Sequence, residues 1–513
     1  MAKPLSIAMV SPEVDELRKR GGLADYTGSL ARTLHAREHS VKVFIPGGES
    51  SEGTSHSVLR IHDQDIPVKV SHLTGGVPVY HVGNFKDIYK CTSSGGRGLA
   101  TLPGSSSNIS PEVAEQAALF SRAVIQLVEQ LPDPVDVYHC NEWTSAMVPF
   151  FLRTRSASDT AVVYTVHNLN HEGGVRYNSF TGDKVDLMNQ AVESLGLEGI
   201  AQDQIDGLVT YKSKSGFLTM GLIRGGTGFA DRVNTVSHSY GEHIGCPGIQ
   251  NGLDVMNWSP EAALGCDPGN LDDVLRAKAR RKSEVQKKYG LEENPDVVLI
   301  SYLHRYCEQK RTDEFVYALP ILLRANPNLQ VIMRGGFEAG NKDHFWKLRN
   351  ILDKAPKLER RLSFSPSFSS DEARIYAASD FLYMLSMDEP FGYSAVKAMT
   401  VGAIPIVTHV GGLKDIVIPI DLSGEGNGVV VSVSDSDRYV PNGGYDSTRT
   451  DVVPFQIFGA TSQALMLHQN EQLRRQAVAS GLSFDYLWEG KDGKGPVVQY
   501  EQLFHEAIAA RKG

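Results

Sequence analysis

The chain has 513 residues, more than one hydrophobic core ordinarily organises, so at least two domains are expected. With 41% hydrophobic and 22% charged residues it has the balance of a globular protein, and a formal net charge of −9 argues against a general binder of nucleic acid or anionic membrane, a local basic pocket aside. Cys91, Cys140, Cys246, Cys266 and Cys307 are scattered without CxxC spacing, and no run approaches ~18–20 apolar residues, so a cytoplasmic chain with no disulfide framework, signal peptide or membrane span is expected.

The first expected element is a buried strand at Ile7–Val10, followed by RKRGGLADYTGS at 18–29. Gly21 and Gly22 let backbone come close to a ligand, and Leu23, Tyr26, Leu30 and Leu34 supply a helical stripe. The start of that helix, with Lys19 beside it, suits an anion. Read alone, the glycine pair is better explained as a structural turn. Strands follow at Val41–Ile45, Val135–His139, Val162–Val166 and Val233–Val236, with a long helix at Ala114–Leu131 and helical pieces near Lys184–Ser194. This alternation predicts a parallel, doubly wound α/β sheet, with the Gly- and Ser-rich Thr92–Ser107 as a loop. At two strand ends, YHCNEWTS (138–145) and TVHNLNHEGG (165–174), His139 and His167 offer hydrogen bonds to sugar hydroxyls or a leaving phosphate. The alternative for each is a satisfied polar residue at a turn. His167 and His171 stand four apart, but Asn168, Asn170 and Gly173 make a loop rather than a metal-binding helix, so no metal is expected.

The turn-rich WSPEAALGCDPG at Trp258–Gly269 marks a division, giving predicted domains 1–260 and 261–513, with the last helical pattern, Val498–Ala510, able to pack on either half. A second strand series reads Val297–Ser301, Val331–Met333, Leu362–Phe364, Phe381–Leu385 and Ile404–Val407, with helices at Arg276–Tyr289 and Asp371–Ala378. In SYLHRYCEQKRTDEF, Arg305 and Lys310 stand five apart around a strand-to-helix turn, a planar fork and a point charge suited to one diphosphate, although most such pairs are merely solvated. Glu389 follows the next strand but two, and Gly392, Tyr393 and Ser394 open a helix whose N–H groups suit phosphate. Gly411 and Gly412 repeat that arrangement one strand later. A plain helix-start charge is the alternative for Glu389. Two such sheets facing one another put a ligand cleft between the domains, at the carboxyl ends of the strands.

In this order and spacing the motifs resemble the bacterial glycogen synthase and plant starch synthase family (GT5), retaining glycosyltransferases of the two-Rossmann-domain GT-B architecture. The resemblance runs from SPEVDELRKRGGLADYTGSL through HCNEW, HNLNHEG, FADRVNTVSHSYGEHI and IQNGLDVMNWSP to HRYCEQK, MDEPFGYSAVKAMTVGAIPIVTHVGGLKD and GEGNGVVV, most of the chain. It implies that Lys19, opening a Lys-x-Gly-Gly-Leu-Ala-Asp motif closed by Asp25, contacts the nucleotide sugar, and that His167 lies near the transferred glucose and its phosphate. Arg305 and Lys310 match the family's phosphate-binding pair, Glu389 the acid that holds the donor sugar, and Asn251 lies in the matching Asn-Gly turn. Glu142, Arg224, Phe391 and Lys397 depart from the family pattern, standing where relatives usually carry Asp, Lys, Cys and Tyr.

The resemblance implies transfer of glucose from ADP-glucose, or second UDP-glucose, to the nonreducing end of an α-1,4-glucan, with no metal and no cofactor beyond the donor. A related enzyme with another small acceptor, and a non-catalytic glucan-binding descendant, are the rival readings. The absence of GxGxxG after the first strand argues against a nicotinamide enzyme. Oligomeric state is open.

Overall fold

The computed structural model describes residues 3–19, 21–49, 51–61, 63–85, 88, 108–155, 158–169, 174–177, 184–210, 218–256, 258–336, 346, 350, 358, 360–367, 369–421, 423–433 and 452–513. The expected loop at 92–107 and the residues Asn170, His171 and Gly173 lie outside this set. Two compact units result, Met1–Asn257 with Leu487–Gly513, and Trp258–Tyr486.

The strands of the first unit are β1 (Ser6–Val10), β2 (Ser40–Pro46), β3 (Thr54–Ile61), β4 (Gln64–His72), β5 (Pro78–Val82), β6 (Asn108–Ile109), β7 (Val137–Asn141), β8 (Ala161–Val166), β9 (Gly174–Tyr177), β10 (Val209–Thr210), β11 (Leu218–Gly221) and β12 (Arg232–Thr235). Eight of them form one sheet in the order β12-β8-β7-β1-β2-β5-β4-β3, and the other four a small separate sheet. From β12 to β5 every pairing is parallel; β5-β4-β3 is an antiparallel meander. The parallel strands, taken in order of appearance, stand 3-2-1-4-5-6, the doubly wound order whose switch point falls between β1 and β7. Helix α1 (Gly22–Ala36) and helix α2 (Pro111–Gln130) pack on this sheet. α2 starts where Ser110 accepts from the Val113 N–H and Pro111 takes the first helical position, and it buries Val113, Ala117, Phe120, Val124 and Val128 at helical spacing.

The second unit opens with a short helix, Pro260–Leu264, inside the stretch expected to be only turns. Ser259 Oγ caps its start and Gly265, at φ +76°, ends it, so capping chemistry overrides the weak periodicity. Helix α3 (Leu271–Lys288) leads to β13 (Val298–Leu303), helix α4 (Thr312–Ala325), β14 (Leu329–Arg334), β15 (Leu362–Ser365), β16 (Phe381–Met384), helix α5 (Tyr393–Thr400), β17 (Ile404–Thr408) and β18 (Val429–Val431). All six strands are parallel, in the order β15-β14-β13-β16-β17-β18, again 3-2-1-4-5-6 with the switch point between β13 and β16. β14, β16 and β17 are buried along their whole length, as strands covered on both faces must be. α3 is rich in cations yet docks, because Lys278 Nζ donates to the carbonyls of Ala377, Ser379 and Val401, and Lys282 Nζ pairs with Asp380 at 2.7 Å. Burial pushes Lys278 down to about 7.

The last helix, α6 (Pro496–Lys512), belongs to the first unit. The segment that carries it donates from Trp488 Nε1 to Ser29 Oγ (2.7 Å) and accepts from Asn234 Nδ2 at Tyr500 Oη (3.1 Å), while Arg37 pairs with Glu501 and Glu489.

Candidate active site

In both units the singled-out residues fall at the carboxyl ends of the parallel strands, where open α/β sheets bind ligands. In the first unit the segment after β1 carries Lys19 and Gly21, and α1 begins at Gly22. Lys19 Nζ pairs with Asp25 Oδ1 at 2.6 Å, so the two ends of the Lys-x-Gly-Gly-Leu-Ala-Asp motif close on each other across the helix start. Asp25 is buried, and half of the lysine side chain remains exposed. Gly21 has an extended φ of −151°, and a Cβ there would meet only Glu13 Oε1 at 3.8 Å. Neither left-handed backbone nor crowding calls for glycine at position 21.

His167 follows β8 and is buried. Its Nε2 lies 3.0 Å from Asn141 Oδ1, and the Asn141 amide nitrogen donates to the carbonyls of Val10 and His139. That orientation makes the Asn141 oxygen the acceptor, so His167 carries its proton on Nε2 and presents Nδ1 as a lone pair. Burial, with His139 beside it, lowers His167 to about 3, so the ring is neutral. Towards a ligand it is thus a hydrogen-bond acceptor, in contrast to the donor expected from sequence. The Tyr26 ring of α1 meets it edge-on at 4.4 Å. His139 is corrected as well: it is fully buried against Tyr500 and Phe504 and bonded to Thr165 Oγ1, a core histidine. Asn251, beyond the helix His238–Ile244 that follows β12, is buried with its side-chain oxygen lacking a hydrogen-bond partner among the described residues.

The departure at Glu142 has a structural task. Its Oε1 accepts from the N–H groups of His167 (3.0 Å) and Asn168 (2.8 Å), fixing the turn on which His167 sits. Burial, aided by Glu13, outweighs these bonds and pushes Glu142 up to about 7 from an ordinary 4.5. The raised value means that ionisation opposes folding: stability is full below 4.5 and falls as pH rises to about 7, by about 3 kcal/mol. Glu142→Gln removes that titration. Between pH 5 and pH 8 the native protein should lose melting temperature relative to the variant; parallel melting curves at both pH values would refute this.

In the second unit Arg305 and Lys310 lie between β13 and α4, Arg305 three residues before a single 3-10 turn, Glu308–Lys310, and Lys310 at its end. Glu389 lies beyond β16, the neighbouring strand across the switch point. Lys310 Nζ pairs with the Glu389 carboxylate, and Ser386 Oγ lies 3.1 Å from the ammonium and 2.9 Å from the same carboxylate oxygen. Burial raises the Glu389 carboxyl, but the Lys310 charge and the bonds from Lys310 and Ser386 prevail and hold it below its ordinary value. Glu389 is therefore no simple helix-start charge. Behind the pair, His304 Nε2 donates to the Tyr383 carbonyl at 2.7 Å, and burial together with the Lys310 charge lowers it to about 4.

Gly392, at φ +119°, opens α5, and the helix itself gives no acceptor to the first N–H groups, those at Tyr393 and Ser394 included. Gly411 and Gly412 serve differently from the expectation. The Gly412 N–H donates to the Glu389 carbonyl at 2.8 Å, and a Cβ on Gly411 (φ +47°) would sit 2.2 Å from that oxygen. The glycine pair seats the backbone of the Glu389 turn, and the Gly412 N–H is already used. Phe391 packs edge-on to Tyr393, Lys397 is buried over the Trp258 ring with Glu372 at 3.9 Å, and Arg224 is exposed on the helix Ile223–Phe229. Among the described residues no three of His, Cys, Asp or Glu are grouped to hold a metal ion, and no helix is long and apolar enough to cross a membrane.

Asn141, Ser386, His304 and Gln309 were missed from sequence. Each is an uncharged or neutral side chain, and each has at least one partner distant in the chain: His167 for Asn141, Lys310 for Ser386, Tyr383 for His304 and Asp388 for Gln309.

Known proteins divide along the same lines. The starch synthase catalytic domain family matches residues 6–256, and the glycosyl transferases group 1 family matches 282–441. Glycogen synthase 2 of Geobacter sulfurreducens is 28% identical over 99% of this chain and 100% of its own length, and the glycogen synthase of Moorella thermoacetica is 27% identical over 100% and 99%. The catalytic domain of starch synthase IV from Arabidopsis thaliana, solved with ADP and acarbose bound, has the same fold, with a TM-score of 0.75 at 20% identity over 99% of this chain and 100% of that one. With a starch synthase catalytic domain followed by a group 1 glycosyl transferase domain and glycogen synthase relatives along its whole length, the chain belongs to the glycogen synthase and starch synthase family of glycosyltransferases.

Proposed function

We propose that the protein transfers glucose from ADP-glucose, with UDP-glucose as the second donor, to the nonreducing end of an α-1,4-glucan, with retention at the anomeric carbon. The observation that carries this reading furthest is the meeting of Arg305, Lys310 and Glu389 at one switch point, although the acid lies 79 residues beyond the lysine. Two cations there suit a leaving diphosphate, whose charge grows as the glycosidic bond to phosphate breaks. A carboxylate beside them suits the hydroxyls of the sugar being transferred. The neutral His167, fixed with Nδ1 as acceptor, fits a sugar hydroxyl and cannot serve as a proton donor to phosphate through Nε2. Retention then rests on positioning the acceptor hydroxyl on the face that the diphosphate leaves, with that diphosphate taking its proton. The adenine nucleotide is favoured because the Arabidopsis starch synthase IV neighbour was solved with ADP. No metal or further cofactor enters this scheme, and a cytoplasmic location fits it.

The test is a panel of ADP-, UDP- and GDP-glucose against glycogen and short maltooligosaccharides, with products resolved by size. Transfer from ADP-glucose, faster than from UDP-glucose and lengthening oligosaccharides by single glucose units, is expected. Products formed only on a small non-glucan sugar would replace the acceptor assignment. Glucan binding without transfer from any donor would remove the catalytic one.

A further inference from the structure

The geometry points to Gln309 as a positioning residue that sets the Arg305 fork against the Glu389 turn, and this rests on the glucosyl-transfer reading above. Gln309 lies inside the 3-10 turn between Arg305 and Lys310. Its side-chain Oε1 accepts from Arg305 Nη2 at 3.3 Å, and its Nε2 donates to the Asp388 carbonyl at 3.0 Å. Its main-chain carbonyl accepts from the Met387 N–H at 2.8 Å. One residue thus ties the segment after β13 to the segment after β16, and its amide is used at both ends.

The chemistry of the tether is specific. Only a primary amide on a stem of this length accepts from a guanidinium on one side while donating to a carbonyl on the other. Glutamate keeps the acceptor and strengthens the bond to Arg305, but loses the donor and turns a charged oxygen towards the Asp388 carbonyl. Methionine fills the same space and keeps neither bond. The main-chain bond to Met387 survives all of these changes, so the turn itself should stay folded. What changes is the rotational freedom of Arg305 and the distance between the phosphate-binding fork and the sugar-holding carboxylate. Such misplacement acts chiefly on the chemical step, where charge develops and both groups must be in register.

The experiment measures kcat, donor KM, ADP affinity by calorimetry and melting temperature for the native protein, Gln309→Met and Gln309→Glu. It repeats Gln309→Met in an Arg305→Ala background. Gln309→Met should lower kcat roughly ten- to hundredfold, with KM moving less than about threefold, while the melting temperature stays put. Gln309→Glu should recover part of the loss, because it retains the bond to Arg305. Without Arg305 the second substitution should cost less than about threefold, since residues acting as a unit are not additive. A kcat within about twofold of native for Gln309→Met, or a full additional loss in the Arg305→Ala background, overturns the assignment. If the native protein transfers glucose from no donor, the functional reading fails. ADP calorimetry then decides on Gln309 alone: a fall in ADP affinity of about two- to threefold for Gln309→Met that disappears in the Arg305→Ala background upholds the tether, and the same change in both backgrounds, or none in either, removes it.

Discussion

Lys310→Ala is expected to lower kcat by about 10²–10³-fold, the loss found on removing one preorganised group that meets developing charge. The ammonium stands in a largely buried cluster with Glu389 and Ser386, where a charge acts more strongly than in water. Its attraction to the diphosphate grows as the bond to glucose breaks, so the deficit should fall on kcat more than on donor KM. The variant also removes the counter-ion of a buried carboxylate. Breaking a buried pair from one side costs about 3–5 kcal/mol when both ions are sealed from water; here each side chain keeps some exposure, so the lower part of that range is expected. Combining Lys310→Ala with Glu389→Gln neutralises the orphaned carboxylate and should restore much of the melting temperature without restoring turnover. The double variant thus reports on stability alone, and turnover of the single variant decides the role of Lys310. If Lys310→Ala keeps a near-native kcat at a temperature where it is folded, Lys310 is a structural counter-ion and leaves the site.

The parts of the fold that could be read from residue order are those in which a strand is covered on both faces. β14, β16 and β17 each centre on an apolar run, Val331–Met333, Phe381–Met384 and Ile404–Val407, and they lie over the runs that predict them. β7 sits two residues further on than expected because His139 and Asn141 are polar and yet buried, made tolerable by hydrogen bonds to residues elsewhere in the chain. β3 and β4 escaped notice since each buries only two apolar side chains, Leu59 and Ile61, and Ile66 and Val68, between exposed polar ones. The two glycine pairs show the limit for the site. Gly21 is uncrowded and extended, Gly411 is crowded and left-handed, and nothing in a run of letters separates these cases. Spacing brought Arg305 and Lys310 together, being local. The pairing of Lys310 with Glu389, the tether through Gln309 and the choice of proton position on His167 are all made across strands, so they belong to the folded chain.

Glu389→Gln is expected to abolish most transfer while leaving nucleotide binding intact, and here the structural and functional roles of the residue predict different results. As a structural partner, Glu389 accepts from Lys310 and Ser386, and an amide oxygen can still accept both bonds. What is lost is the charge, worth about 1–3 kcal/mol of stability as the difference between a charge-assisted and a neutral hydrogen bond. The depressed carboxyl value of Glu389 gives this loss a sign: the stabilisation is present above the ordinary value of 4.5 and disappears as pH falls through the lower folded value, whereas the glutamine variant lacks that acid dependence. As the sugar-holding acid, Glu389 uses its charge to orient hydroxyls in register with the breaking bond, and a neutral amide does so only in part. Lys310 is meanwhile released from its carboxylate, so ADP should bind as tightly as before or more tightly. Calorimetry with ADP, a transfer assay and acid melting curves on the same protein distinguish the two roles. A well-folded Glu389→Gln protein that transfers glucose at the native rate would return Glu389 to the status of a counter-ion, and one that loses ADP binding along with transfer would place its charge on the nucleotide rather than on the sugar.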